Sequence, residues 1–451
     1  MSPLAASFLE TGTHLVAAGA VGSLASRALH PPGRKRAAER IGWGIALGLA
    51  AIAASALLAT ATGIEPRLWF PILLLAGLAL GYVFRTRQVV PTSADDVFTR
   101  PAPLELLLVA AIGAGVVLYA ARALIRPMWS IDFLAIWGLK GRSIFSSGGV
   151  PAWLSDSRLA GWSHPEYPLG LPLLYAGTAA LLGTWDDHAM ALLFPAFQIA
   201  TLAVLYGWLR RRGTGRGIAL CATALLALFE PLYSGFLTGM ADVPLALTML
   251  LLGVSLSDAL DRTDRRAMAR LALASVLASS VKNEGLFLAA VAAALALFSR
   301  TETDGGRRRR VALAAILPAL LLTAATRASR GSPPLRDFDF GLLAPSRLGE
   351  FLSRAAETIS VDLHIAARAW IILPAIAVLL ISGVAAPWAG RLLWLAAAAL
   401  AVYLALPAFA VLGPQWLAET TLFRTSAALA PLAAAGIAGR LASRGAAAGR
   451  F

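Results

Sequence analysis

The chain alternates between long apolar runs and short polar interruptions, and the run lengths set the first expectation. Runs near the roughly 20 residues that a helix needs to cross a bilayer are 11–28, 41–62, 67–84, 104–124, 190–209, 216–230, 241–260, 311–326, 369–386, 391–411 and 422–440. Two more are ambiguous: 168–184, entered through a Pro-rich stretch, and 271–298, interrupted by Lys282-Asn283-Glu284-Gly285. Charge resolves both. The segments RRRGTGR, DRTDRRAMAR and GGRRRR all belong on the cytoplasmic side by the positive-inside rule. The run 271–298 must then leave and return as a helical hairpin with KNEG at its tip, while 168–184 lies along or dips into the outer face. This scheme puts 25 of the 39 Lys and Arg in cytoplasmic segments, with the N-terminus outside. It predicts eleven full spans and one hairpin, about 11–13 membrane helices in all.

Composition points the same way. The 451 residues are 58% hydrophobic and 14% charged, with mean hydropathy +0.71. A soluble domain carries about 25% charged residues. The fold class expected is therefore an all-α polytopic membrane protein. The net charge of +14 comes from clusters between apolar runs, which argues for a lipid bilayer and against nucleic acid as the partner. Residues 11–29 are apolar, rich in Gly and Ala, and followed by further apolar runs, so they read as a first span rather than a secretory signal. The lone Cys221 excludes a disulfide framework. Three stretches follow: 1–103, helices preceding the core; 104–300, a core with an outer loop at 125–189; and 301–451, C-terminal helices with an outer loop at 327–368.

One polar, aromatic island stands out. Residues 129–188 hold one of three lysines, two of five histidines and five of twelve tryptophans. Asp132 follows the 104–124 run and reads either as a general base for a hydroxyl or as a helix cap. Trp137 and Lys140 continue it as an amphipathic interfacial helix, or as an aromatic belt with a snorkelling lysine. In HPEYP two prolines hold the chain extended and fix His164, Glu166 and Tyr167, shaping either a pocket or a rigid turn. Asp186-Asp187-His188 reads better as a helix cap than as a divalent-cation site, which stays open. Further along, Asp242 is a cap or a site carboxylate. Lys282 and Glu284 sit inside an apolar run and are functional candidates or a pair that pins the hairpin. Arg424 is a phosphate fork or an interfacial anchor.

With these residues the chain resembles the GT-C superfamily of membrane glycosyltransferases, which includes protein O-mannosyltransferases and lipid A aminoarabinose transferases. The closer match is to a bacterial branch: Asp132 with Trp137 and Lys140, HPEYPLGLP, ADVPLAL and KNEG stand in order over about 125–300. A looser C-terminal pattern is Thr421, Arg424 and Pro431. The resemblance implies a helix bundle whose large first outer loop carries interfacial helices. It implies a polyprenyl-phosphate sugar donor, a cell-envelope acceptor, and Asp132 as the base in an inverting transfer at the periplasmic face of a bacterial inner membrane. Phe133 stands where many relatives carry a second acidic residue, so any second carboxylate comes from elsewhere, such as Glu166 or Asp242. The segments before Asp132 also exceed the family's usual single span. Other classes weighed are a lipid-linked sugar flippase or transporter, an O-antigen polymerase or ligase using the 327–368 loop with RDFDFG and His364, and a non-catalytic scaffold.

Overall fold

A computed structural model describes residues 3–30, 37–83, 101–155, 163–262, 264–299, 305–330, 338–368 and 387–448. The chain is an all-α polytopic membrane protein. Its helices are α1 (Pro3–Ala25), α2 (Ala37–Thr62), α3 (Pro66–Val83), α4 (Pro103–Leu124), α5 (Gly138–Ser147), α6 (Gly170–Leu182), α7 (Asp187–Met190), α8 (Leu193–Arg211), α9 (Arg216–Ala227) and α10 (Asp242–Asp261). They continue with α11 (Arg265–Val281), α12 (Asn283–Phe298), α13 (Gly305–Arg330), α14 (Leu348–Arg368), α15 (Pro387–Ala405), α16 (Pro414–Leu417), α17 (Phe423–Ala428) and α18 (Ala430–Ala448). The described residues form no strand, only one bridge between Phe338 and Ala410.

Seven described helices are long and apolar enough to cross a bilayer, or eight if the bent pair Pro414–Ala428 and Ala430–Ser443 makes one span. The expected eleven shrink for separate reasons. The run 369–386 lies outside the described residues. Over 216–230 only Arg216–Ala227 is helical, 12 residues, too short alone. Residues 11–28 fall mainly in α1, which is helical but not among the seven.

One hydrophobic core runs from Ala18 to Ala438 and draws on all three sequence stretches. At its centre is α10, of whose 20 residues only Asp261 is not buried. Small residues let its neighbours close in: a Cβ on Gly48 would strike Ala18 of α1, and one on Gly177 would strike Ile52 of α2.

Ionic contacts at the two ends of α10 fix the direction of the helices around it. At the Asp258 end lie Arg211 closing α8, Arg270 in α11, Arg307 opening α13 and Arg391 opening α15. At the Asp242 end lie Lys282 and Arg424. Hence α11 runs from the Asp258 end to the Asp242 end. Helix α12 returns, because Ser299 beyond its end accepts from Arg308. The hairpin is present with KNEG at its tip, and its two short arms follow α10 between the ionic ends. Gly285 permits the tight turn, since any Cβ there would collide with the Ala278 carbonyl.

Helix α6 does not cross: its start packs on Ser280 beside the tip, and Ala180 near its end accepts from Arg67 in the first turn of α3. It does not float on a surface either, since ten of its 13 residues are buried. The expected interfacial Lys140 is also buried, at 0% exposure.

Candidate active site

Two helices bring the central charges together, and each carries a π turn beside its key residue. Helical chain begins at Ile131, where Ser130 Oγ accepts from Phe133 N at 3.3 Å. The cap is therefore Ser130, which leaves Asp132 free to face elsewhere. A π turn over Phe133–Trp137 follows immediately, before α5. A second π turn, Ala418–Leu422, joins α16 to α17 and ends two residues before Arg424. A π turn inserts one residue, which turns every later side chain by about 100°. Both π turns in the described chain thus flank one ion pair: Arg424 Nη2 donates to Asp132 Oδ2 at 2.8 Å.

From there a chain of alternating charge runs into the bundle. Arg424 Nε stands 3.6 Å from Asp242 Oδ2, Lys282 Nζ stands 3.6 Å from Asp242 Oδ1, and Lys282 Nζ reaches Glu284 Oε1 at 2.7 Å. Asp242 makes no side-chain cap although it opens α10. It is 0% exposed, and neither carboxylate oxygen has a partner at hydrogen-bond distance. Arg424 Nε is also buried without one. Lys282 adopts an extended conformation between α11 and α12, φ −155°, which turns its side chain to Asp242. Tyr175 steadies the approach to Asp242, donating its hydroxyl to Gly239 O at 3.0 Å.

The other five candidates form an adjoining aromatic group. Tyr167 stacks on Trp137 (ring centroids 5.4 Å apart) and on His164 (4.8 Å). Lys140 Nζ lies 5.9 Å from the Trp137 ring and 5.8 Å from the Tyr167 ring, and donates to His164 O at 2.6 Å. His164 Nδ1 and Glu166 Oε1 are 3.1 Å apart. His164 has φ 51°, in the left-handed region that costs a non-glycine residue energy. Tyr167 is within electrostatic reach of Arg424, so the two groups adjoin. Of the two carboxylates proposed to complement Asp132, Asp242 shares Arg424 with it, and Glu166 is turned to His164.

Sequence reasoning missed Tyr403. Near the end of α15, it is 5% exposed, its hydroxyl has no hydrogen-bond partner, and it interacts electrostatically with Glu284 and Asp242. A tyrosine among alanines and leucines in an apolar run gives no sign of facing charges. The π turns were equally invisible in the sequence.

Other candidates resolve as local structure. Asp186 Oδ1 accepts from His188 N and Ala189 N at 3.1 and 3.0 Å, the expected cap. Among the described residues no group of three or more His, Cys, Asp or Glu could hold a metal ion. Thr421 Oγ1 bonds back to Leu417 O. In the 338–368 segment Arg347 donates to Asp339 and holds its carboxyl below the usual carboxylate range. The His364 side chain lies outside the described residues. No family model matches the chain, and no curated protein sequence matches it.

Proposed function

We propose that the protein is an inverting glycosyltransferase that moves a sugar from a polyprenyl-phosphate donor to a hydroxyl of a cell-envelope acceptor, at the periplasmic face of a bacterial inner membrane. One observation carries this reading: Asp132 and Asp242 share Arg424, with Lys282 on the far side of Asp242, at one end of an apolar bundle. A glycosyl transfer to oxygen needs a base and, close by, cations for the departing phosphate. Asp132 takes the acceptor proton as the acceptor oxygen bonds to the anomeric carbon. The bond from that carbon to the phosphate oxygen breaks, and its electron pair leaves on the polyprenyl phosphate. Arg424 and Lys282 stabilise that charge. Lipid-exposed helices provide for the prenyl tail.

Arg424 is held by Asp132 and Asp242, so donor phosphate must compete with them for it. This gives the test two readouts. Asp132→Asn should lower transfer from a labelled polyprenyl-phosphate sugar by about 10²–10⁴-fold. The same variant should bind polyprenyl phosphate at least as tightly as the parent, because Arg424 loses one competitor. Near-normal turnover would remove Asp132 from the mechanism. The charges favour catalysis over carriage across the membrane, since residues 243–257 along the middle of α10 carry none.

A further inference from the structure

Helix α14 presents three separate sectors around its axis, and one, apolar, is exposed among the described residues. Toward the bundle it turns Phe351, whose ring is tilted by 34° against Phe409 with centroids 5.3 Å apart, and Arg354, which donates to Ala410 O at 2.8 Å. A second sector is apolar and exposed: Leu348 at 50%, Leu352 at 58% and Ile359 at 60%. At about 100° per residue these three fall within roughly 40° of one another. The third sector is polar and exposed, and includes Ser353 and Glu357.

We infer that α14 lies in the plane of the membrane surface, on the side of the candidate active site, with Leu348, Leu352 and Ile359 at the boundary between lipid headgroups and acyl chains. A helix at the rim of a bundle in that plane meets protein on one side, lipid below and water above, and α14 carries one sector for each. The apolar sector is continued at the same end of the bundle by exposed Val411, Leu412 and Trp416, at 52%, 67% and 46%. Tryptophan is enriched at that depth of a bilayer. Val411 and Leu412 lie just after the Pro387–Phe409 span and Trp416 lies in the short α16 that follows it. The inference does not rest on the proposed reaction.

The test uses the full chain with its single cysteine removed (Cys221→Ala). Cysteines placed singly at Leu352, Ile359, Ser353 and Glu357 carry a polarity-sensitive fluorophore in phosphatidylethanolamine–phosphatidylglycerol vesicles. Labels at 352 and 359 should be quenched at least twofold by lipids spin-labelled near the headgroup and be shielded from iodide. Labels at 353 and 357 should show the reverse. Iodide access at 352 and 359 equal to that at 357 would overturn the inference. Shielding of 352 and 359 from both quenchers would also overturn it, because a second copy or another protein would then cover the stripe. Four positions on one helix keep the contrast readable if one variant misfolds.

Discussion

The two ends of α10 carry similar residues in opposite states. At one end Asp258 accepts from Arg211, Arg212 and Arg270 at 2.6–3.1 Å, and Arg211 also forks onto Glu39 at 2.7 and 2.8 Å. Arg212 and Arg391 further reach Asp261. This cluster ties α2, α8, α11 and α15 to α10 and leaves neither carboxylate oxygen of Asp258 without a donor. At the other end Asp242 is as deeply buried, yet its two cations stand off at 3.6 Å and both its oxygens lack hydrogen bonds. Burying a charge without close partners is costly. The first end is built to hold helices together. The second leaves both oxygens of Asp242 without a hydrogen bond.

The largest stability effect should therefore come from the saturated end. Asp258→Ala leaves three buried or partly buried guanidiniums short of an acceptor and should destabilise the protein by about 3–5 kcal/mol. Thermal unfolding in detergent would show it, and transfer activity per folded molecule should remain. Asp242→Asn should do the opposite, costing about 1 kcal/mol because Lys282 keeps Glu284 and Arg424 keeps Asp132, while transfer is lost. Equal destabilisation by the two variants would erase the distinction between the ends. Between them falls Gly285→Ala. Its Cβ would force the hairpin arms apart at the tip, at about 1–3 kcal/mol, and should displace Lys282 from Asp242.

Much of this difference was legible in the sequence, but only one half of it at a time. Charge placement alone put the arginine clusters on one side and the island with KNEG on the other, and the helices around α10 follow that sorting. Unusual residues in apolar runs marked Asp242, Lys282, Glu284 and Arg424 individually. Their pairing could not be read, because Arg424 reaches Asp132 across 292 positions of chain and through two π turns. A π turn has no residue signature, so side-chain direction after it cannot be inferred from periodicity. The spacing of Trp137 and Lys140 similarly suggested a surface helix, because a lysine among aromatic residues reads alike whether its ammonium meets water or a buried carbonyl.

Tyr403 sharpens the comparison with the smallest change. Its hydroxyl is buried beside Asp242 and Glu284 with nothing to bond. At the other end both oxygens of Asp258 accept from guanidinium donors. Removal of the Tyr403 hydroxyl should cost no stability, since an unsatisfied buried donor contributes a penalty rather than a bond. Tyr403→Phe should then unfold at the same temperature as the parent, or slightly higher. If the hydroxyl awaits a ligand oxygen, the same variant should bind polyprenyl phosphate up to about tenfold more weakly, the worth of one net hydrogen bond. Isothermal titration with polyprenyl phosphate in detergent, set beside the unfolding curve, separates the two effects. Unchanged stability with weaker binding marks Tyr403 as part of the receiving site. Lower stability with unchanged binding would make its hydroxyl a structural group, and the Asp242 end would then resemble the Asp258 end more closely than the distances suggest.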